Sequence, residues 1–302
     1  MQTAFPCKTF TTYDQLKIRY GVWPSDKEPY RGKMLLLSGR SEFMEKYFET
    51  IHELNRRGYS VYMFDWRGQG LSDRMLPDRR KGYVRKYDDY LKDLKQFVEE
   101  VVNPGEESGI MLLAHSMGGH IALRFFHDYP GIIEKAVLTS PLIDIAGSNW
   151  VKKTLNAMVN IAIKTGFQEQ YAAKRTRDSG SSGKRFSHNR LTHDPDRFRR
   201  TKKMLQDNPD LAIEGVTFGW LDATFHSIGI LSGKGYAEEI TLPILIVAAG
   251  SDQVVSVQAQ KAICERIPRA QIITIPSARH EILMETDSMR HLFWHAFDRF
   301  AT

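Results

Sequence analysis

The sequence predicts an α/β fold in which a mostly parallel central sheet is flanked by helices. Short apolar runs of strand length alternate with longer segments of helical periodicity in both halves of the chain. This βαβ rhythm is typical of a parallel sheet that is covered on both faces. Polar residues suited to chemistry directly follow several of the runs. Because open α/β sheets place their sites at the carboxyl ends of the strands, the pattern also predicts where a site would form.

The predicted elements of the first half begin with a hairpin. Residues Lys8 to Trp23 alternate in polarity around a short polar turn, which predicts two antiparallel strands. The elements that follow are a strand over 34–37, a helix over 43–57 ended by Gly58, a strand over 59–64, a helix over 88–102, a strand over 110–114, a helix over 119–129 and a strand over 135–140.

The rhythm breaks near Asp144 and resumes at Thr241, where a strand, a helix, a strand and a final helix follow. The intervening segment differs in character, with a low-complexity turn over 179–183 and much of the positive charge. We therefore expect residues 1–144 and 241–302 to form the α/β core. We expect residues 145–240 to form a mostly helical cap, inserted after the sixth strand.

A strand, a sharp turn and a helix meet at Ser116. Ala114 and Gly118, two residues to either side, are small, so the turn can close without side-chain clashes. Such a turn lifts the serine hydroxyl clear of the sheet, as a nucleophile elbow requires. The new helix would also point its N-terminal N–H groups at the reacting centre. The alternative interpretation is that Ser116 only caps the helix.

Two later residues are suited to be the partners of Ser116. Asp252 follows the apolar run over 243–249, and His280 lies on the loop after the run over 271–275. A neutral imidazole can take the serine proton near pH 7, and a carboxylate can hold that imidazole in one tautomer. Taken singly, Asp252 could be only a helix cap and His280 only a polar loop residue.

An oxyanion intermediate would need two N–H donors in addition. We expect the backbone N–H of Met117, directly after the predicted nucleophile, to be one of them. By position, the backbone N–H of Arg40, on the loop after the strand over 34–37, is the second candidate. Loss of one such donor typically costs about 3 kcal/mol of transition-state stabilisation.

The composition is that of an ordinary globular protein of 302 residues, 42% hydrophobic and 26% charged, with a net charge of +6. The two cysteines, Cys7 and Cys264, belong to no pair motif, so no disulfide framework or zinc site is predicted. His115 and His120 flank Ser116, but no carboxylate joins them at ligand spacing. We expect no metal or organic cofactor. The N-terminus has no signal-like pattern and no apolar run spans a membrane, so we expect a cytoplasmic protein.

The segment from Tyr171 to Lys203 is strongly basic, with eleven Lys and Arg against three Asp, a net of +8. Few aromatic side chains lie among these cations, so binding to nucleic acid is disfavoured. Peripheral contact with an anionic membrane is the interpretation we favour among binding functions. The alternative is a solubilising face.

Several motifs together resemble one known family. The order Ser116, Asp252, His280 is the chain order of α/β-hydrolases. The motif DWRGQGLS over 65–72 looks like their D-x-R-G-x-G-x-S turn. Five motifs resemble the bacterial lysophospholipase and monoacylglycerol lipase group, among the serine aminopeptidase S33-like hydrolases. They are SGRSEFMEKY over 38–47, AHSMGGH over 114–120, RLTHDPDRF over 190–198, NPDLA over 208–212 and TFGW over 217–220.

This resemblance implies an α/β-hydrolase with a helical cap that cleaves carboxylic esters of monoacyl lipids through an acyl-enzyme. The implied substrate is a lysophospholipid or a monoacylglycerol. The helix predicted from Trp150 to Gly166 either packs its apolar face on the core or, with Trp150 and Met158, also lines an acyl-chain tunnel. The alternatives are a small-ester esterase, an acyltransferase or an S33-type peptidase on the same scaffold, and a non-catalytic ligand-binding protein. The sequence leaves the oligomeric state open.

Overall fold

The structure is a computed structural model that describes residues 7–103, 109–172 and 186–302. Its strands are β1 (Lys8–Thr11), β2 (Lys17–Trp23), β3 (Gly32–Leu37), β4 (Tyr59–Phe64), β5 (Lys81–Gly82), β6 (Ile110–His115), β7 (Lys135–Thr139), β8 (Gly215–Val216), β9 (Ile244–Ala249) and β10 (Ala270–Ile275). Eight of them form the main sheet in the order β1-β2-β4-β3-β6-β7-β9-β10, while β5 and β8 pair separately.

The main sheet is mostly parallel, as predicted. β1 and β2 form the expected antiparallel hairpin, and β2 also pairs antiparallel with β4. From β4 through β10 every neighbouring pair is parallel. The carboxyl ends of these six strands therefore lie along one edge of the sheet, where their following loops can meet.

Helices cover both faces of the sheet. The helices are α1 (Phe48–Arg56), α2 (Tyr87–Phe97), α3 (Met117–Asp128), α4 (Asn149–Lys164), α5 (Pro195–Asp207), α6 (Phe218–Ser232), α7 (Val257–Arg266) and α8 (Asp287–Ala301). Alternate residues of each strand serve opposite faces: Leu35 and Leu37 belong to one apolar core, Met34 and Leu36 to the other. Both cores are closed by helices, so the central strands are apolar on both faces.

Two helix starts differ from the prediction. The helix predicted over 43–57 is divided into a 3₁₀ turn, Met44–Tyr47, followed by α1. The buried carboxylate of Asp65 accepts a hydrogen bond from the Met44 backbone N–H at 2.9 Å, which ties this start to the loop after β4. The helix predicted from residue 119 begins at Met117, directly after the turn residue Ser116.

The chain between β7 and β9 carries α4, α5, α6 and β8. Each of the three helices begins with a side-chain cap, from Ser148, Asp194 and Thr217 respectively. α4 packs against α6, and β8 joins the insertion to β5 of the first half. The low-complexity turn over 179–183, and with it the part of the basic segment over 173–185, lies outside the described residues.

Candidate active site

Ser116 occupies a strained turn between β6 and α3. Its backbone angles, φ 51° and ψ −114°, lie in a region that side-chain-bearing residues rarely adopt. A Cβ on Gly118 would approach the backbone oxygen of Ser38 to 2.6 Å, so only glycine lets the helix start so close to the loop after β3. The Ser116 side chain makes no capping hydrogen bond to α3, so it does not serve as an ordinary helix cap.

The structure brings the three predicted triad residues together. Ser116 Oγ lies 2.9 Å from His280 Nε2, and His280 Nδ1 lies 2.8 Å from Asp252 Oδ2. An ionised carboxylate can only accept, so Nδ1 carries the imidazole hydrogen and donates it to Asp252. Nε2 is then left as an acceptor for the Ser116 hydroxyl. Ser116 and His280 are 8% and 4% exposed, so the pair lies almost wholly below the surface.

Asp252 has two structural roles. Its Oδ1 accepts from the backbone N–H groups of Val254 and Val255 at 2.8 and 3.0 Å, while Oδ2 faces His280. Burial alone would raise the pKa of Asp252, but the hydrogen bond and charge of His280 and the two backbone donors hold it below its ordinary value. Asp252 is not the cap of the following helix, because α7 begins at Val257 and Ser256 caps it.

The loop after β3 lies directly against the serine turn. A Cβ on Gly39 would lie 3.2 Å from Ser116 Cβ, which puts the next residue, Arg40, beside the predicted nucleophile. Met117 is the first residue of α3, so its backbone N–H has no acceptor within the helix. Arg40 and Met117 line the same cavity as Ser116. This arrangement supports their prediction as oxyanion donors.

A buried charge cluster that we did not predict supports this loop. Glu42 accepts from Gly39 N at 2.5 Å, from the Tyr47 hydroxyl at 2.6 Å and from Lys46 Nζ at 2.6 Å. Lys46 Nζ also lies 2.7 Å from Glu281 Oε1. The i,i+4 spacing of Glu42 and Lys46 is visible in the sequence, but Glu281 joins them only through the fold.

Burial alone would raise the pKa of Glu42, but the neighbouring charges, led by Lys46, lower it to about 2. Burial raises the pKa of Glu281, against the opposing charge of Lys46. One lysine thus faces two buried carboxyl groups, and Glu42 is the one that keeps its charge at low pH. The ionised Glu42 then holds the backbone N–H of Gly39 by a charge-assisted hydrogen bond.

The two histidines beside Ser116 have structural partners. His115 Nδ1 lies 3.2 Å from both the backbone oxygen and Oγ1 of Thr139, and burial lowers the His115 pKa to about 4. His120 lies between Leu142 O and Ser227 Oγ, and burial lowers its pKa to about 4 as well. Within the described ranges, no group of three acidic, His or Cys side chains could hold a metal ion.

A cavity of about 510 Å³ opens above Ser116. Most of its apolar wall comes from the chain between β7 and β9 and from the loop that follows β9. The apolar lining residues are Met117, Leu142, Ile145, Leu191, Phe198, Leu205, Ile213, Val216, Trp220, Leu221, Val254, Val255 and Met284. Trp150 and Met158 are not among them: both are surface residues, 75% and 53% exposed, so the suggestion that they line an acyl tunnel is wrong.

Comparison with known proteins identifies the class. The family model described as serine aminopeptidase, S33, matches residues 28–287. Lysophospholipase L2 of Escherichia coli K12 is 30% identical over 298 residues, which cover 95% of this chain and 84% of that protein. Monoglyceride lipase of Saccharomyces cerevisiae is 33% identical over 129 residues, 41% of this chain and 40% of that protein. The chain belongs to the serine aminopeptidase S33 family of hydrolases.

Solved structures support the same fold. A soluble variant of the Saccharomyces cerevisiae monoglyceride lipase, in complex with a substrate analog, superposes with a TM-score of 0.78 at 20% identity over 99% of this chain and 96% of that one. The monoacylglycerol lipase of Paleococcus ferrophilus gives 0.72 at 21% identity over 94% and 98%. These likenesses confirm the α/β-hydrolase fold expected from the sequence.

Proposed function

We propose that this protein hydrolyses the carboxylic ester of monoacyl lipids. The observation that carries the proposal is the Ser116–His280–Asp252 hydrogen-bonded chain at the wall of a largely apolar cavity. Serine, imidazole and carboxylate at these distances are the machinery of acyl transfer. Relatives named lysophospholipase and monoglyceride lipase support an ester of a single acyl chain as the substrate.

In the first half-reaction, Ser116 Oγ attacks the ester carbonyl carbon while His280 Nε2 takes the hydroxyl proton. The imidazolium that forms is stabilised by Asp252. The carbonyl oxygen becomes an oxyanion, and we assign the backbone N–H groups of Met117 and Arg40 to it. When the tetrahedral intermediate collapses, the ester C–O bond breaks and His280 gives its proton to the leaving alcohol.

The second half-reaction repeats these steps with water. His280 Nε2 takes a proton from the water as its oxygen attacks the acyl carbon on Ser116. Collapse of the second intermediate breaks the bond to Ser116 Oγ, which recovers the proton from His280. The products are a free fatty acid and the original enzyme, so every proton is returned without a cofactor.

The apolar cavity favours a lipid over the alternatives. A pocket for a short acyl group or a peptide backbone needs fewer apolar and more polar lining groups. A purely ligand-binding protein would need no serine hydroxyl held 2.9 Å from an imidazole that is itself oriented by a carboxylate. An acyltransferase would share the first half-reaction and differ only in the acceptor.

The direct test replaces Ser116 by Ala. We expect loss of ester hydrolysis and of labelling by a fluorophosphonate probe, with the thermal melt retained, because only the attacking oxygen is removed. The matched control is Ser232→Ala, on an exposed residue at the end of α6, which should leave both readouts unchanged. Hydrolysis by Ser116→Ala at the wild-type rate would exclude Ser116 as the nucleophile.

We also propose that residues 145–240 act as a cap that meets an anionic membrane surface. α4 and the residues just beyond it expose Trp150, Val151, Met158, Ile161 and Phe167, a surface more apolar than a solvated helix needs. Exposed apolar side chains on one helix fit contact at the membrane interface. Among the described residues, no helix is both long and apolar enough to cross a membrane.

The described basic residues contribute less free charge than the count predicts. Arg199 pairs with Asp196, Arg200 with Glu49 and Lys203 with Asp207. The apolar face of α4 should therefore carry much of the binding, and salt should weaken it only in part. Binding that salt weakens only in part distinguishes insertion of apolar side chains from simple charge attraction.

Vesicle co-sedimentation tests the membrane proposal. Wild-type protein should bind anionic vesicles more than neutral ones, and rising salt should reduce the difference as the Debye length falls to about 8 Å. Trp150→Ser with Ile161→Ser should reduce binding to both vesicle types. Leu292→Ser, which removes a comparably exposed apolar residue from α8, is the control. Equal loss in the control would contradict the assignment to α4.

A further inference from the structure

The motif RLTHDPDRF forms the turn that begins α5. Asp194 caps this helix and accepts from the backbone N–H groups of Asp196 and Arg197 at 2.9 and 2.8 Å. Thr192 Oγ1 accepts from the backbone N–H of Asp194 at 2.9 Å, which fixes the chain just before the cap. These local hydrogen bonds account for the shape of the turn, but the turn also makes contacts with the core.

The turn contacts both chain neighbours of the proposed base, His280. On one side, the backbone N–H of Glu281 donates to Leu191 O at 2.8 Å. On the other side, the guanidinium of Arg279 donates to Thr192 O at 3.0 Å. The residues before and after His280 are therefore both tied to the insertion between β7 and β9.

The buried carboxylate of Glu285 joins the same two segments. Its Oε1 accepts from the backbone N–H of Arg279 at 2.7 Å and lies 2.9 Å from His193 Nδ1. Its Oε2 accepts from the backbone N–H of His193 at 2.8 Å. Glu285 has no exposed surface, so water does not compete for these bonds. One carboxylate thus holds the residue before His280 against the turn of the insertion.

Two further contacts reach the chain just after the base. The Thr192 hydroxyl, 1% exposed, donates to Met284 O at 2.6 Å. The Arg197 guanidinium donates to Glu285 O at 2.9 Å. Loops are ordinarily more mobile than the elements they connect. The loop that carries His280 is instead bound to the insertion on both sides of the base.

We propose that the turn that begins α5 is a positioning element for His280, with Thr192 and Glu285 as the positioning residues that link the turn to the loop of the base. The inference rests on the proposed ester hydrolysis at Ser116. It gives the insertion a part in the chemical step itself, in addition to its part in the wall of the cavity.

The geometry of the base explains why such support matters. His280 Nε2 must face Ser116 Oγ at 2.9 Å while Nδ1 faces Asp252 Oδ2 at 2.8 Å. A rotation or shift of the imidazole that improves one of these contacts weakens the other. Misplacement of a reacting group by about 1 Å can cost about a hundred-fold in rate. Both neighbours of His280 must therefore be held for the ring to keep the two contacts together.

A positioning role differs measurably from a role in binding the acyl chain. Leu191 and Thr192 also line the cavity, so a binding role alone would change the affinity for long acyl chains. Support of the base would instead change the rate of the chemical step for every ester, whatever its acyl chain. The first effect appears in KM for long esters, and the second appears in kcat for short and long esters alike.

The test replaces Thr192 by Val, which has nearly the same shape but forms no side-chain hydrogen bond. Thr192→Val should lower kcat about ten-fold for p-nitrophenyl acetate and p-nitrophenyl octanoate alike, with little change in KM. Thr192→Ser keeps the hydroxyl and should retain most of the wild-type kcat. The control is Thr50→Val, in α1, because Thr50 is buried and its Oγ1 has no hydrogen-bond partner among the described residues. Thr50→Val should leave kcat unaltered.

Glu285→Gln tests the link from the side of the core. One carboxylate oxygen becomes an NH₂ donor, which must then face the backbone N–H of either Arg279 or His193. We expect kcat to fall about ten-fold or more for both esters, again with little change in KM. This variant leaves the Thr192 hydroxyl in place, so the two substitutions test the same role independently.

Labelling by a fluorophosphonate probe distinguishes a misplaced base from an unfolded protein. The endpoint of labelling counts the folded molecules, while the rate depends on removal of the Ser116 proton by the base. In Thr192→Val and Glu285→Gln we expect the wild-type endpoint to be reached more slowly. The kcat of each variant is then expressed per labelled site, which removes any contribution from unfolded molecules.

Four outcomes would overturn the positioning role while the ester hydrolase stands. One is an unchanged kcat per labelled site in both variants, and another is an endpoint that falls in proportion to the activity, which would make the role purely structural. A rise in KM for the octanoate alone would assign the turn to the acyl pocket. An equal loss in Thr192→Ser and Thr192→Val would exclude the hydroxyl. If wild-type protein neither hydrolyses the esters nor takes the label, the proposed function itself fails.

Discussion

Glu42 offers the sharpest test of how the loop after β3, which carries the proposed oxyanion donor Arg40, is held. Its carboxylate receives three hydrogen bonds, from Gly39 N, the Tyr47 hydroxyl and Lys46 Nζ, and the residue is 5% exposed. In Glu42→Gln one carboxylate oxygen becomes an NH₂ donor and the charge is lost. At least one of the three donors then faces another donor, and Lys46 retains only Glu281.

The expected loss of stability is large for an isosteric change. Removal of one partner from a buried ion pair typically costs about 3–5 kcal/mol, and the two remaining hydrogen bonds can persist only if the amide is oriented toward them. We expect the free energy of unfolding to fall by about 3 kcal/mol. Glu99→Gln, which removes an exposed carboxylate paired with Lys95, is the control and should cost less than about 1 kcal/mol.

The effect of Glu42→Gln on catalysis distinguishes a role of Glu42 in positioning the loop from a role in stability alone. Gly39 precedes Arg40, whose backbone N–H we assign to the oxyanion, so a loosened loop should weaken a contact made only in the transition state. We expect kcat to fall ten- to a hundred-fold, about 1.4–2.7 kcal/mol, with little change in KM. Urea titrations and steady-state kinetics on one ester substrate measure both effects. An unchanged kcat in a protein that has lost the predicted stability would refute the assignment of this loop to the oxyanion.

The remaining predictions concern the elbow, the pH dependence and the acyl chain. Gly118→Ala should lower stability by about 1–3 kcal/mol and reduce kcat, because the new Cβ would lie 2.6 Å from Ser38 O; a fully stable and active variant would contradict this close approach. Burial would raise the pKa of Glu49, but the hydrogen bond from Arg197 and the surrounding arginine charges lower it from 4.5 to about 2. Glu49 should therefore contribute up to about 3 kcal/mol above pH 4.5 and lose it as the pH falls toward 2; a Glu49→Gln protein whose deficit in urea titrations stays constant across that range would refute this. Hydrolysis of acyl esters of increasing length should rise toward medium or long chains, because each buried CH₂ contributes about 0.8 kcal/mol; a steady fall from acetate onward would exclude a lipid pocket.

Local patterns in the sequence were sufficient to predict the parallel sheet and the strand–turn–helix at Ser116. Apolar runs of strand length mark buried strands because both faces of a parallel sheet must be covered, and this holds whatever the partners are. The carboxyl ends of such strands share one edge. That geometry is why Asp252 and His280 could be proposed as partners of Ser116, although 136 and 164 residues separate them from it.

The cavity and its surroundings depended on the tertiary structure. The apolar face of α4 could be predicted either to pack on the core or, with Trp150 and Met158, also to line an acyl-chain tunnel. Val159 and Ala162 are the residues it buries, and Trp150 and Met158 remain at the surface. Helical periodicity predicts that a face is apolar but not what packs on it. The side chain against which each face packs is set by the orientation of the insertion on the core.

The charges around the site also show what the sequence determines and what only the tertiary structure decides. The sequence alone determined that Glu42 and Lys46 are four residues apart and that cations are concentrated before and within α5. It did not determine that Glu281 completes the first cluster, or that Arg197 is held by Glu49, Asp194 and Asp287. The energy of a charge depends on its burial and on partners within a few ångströms, and residues distant in the chain supply both only after folding.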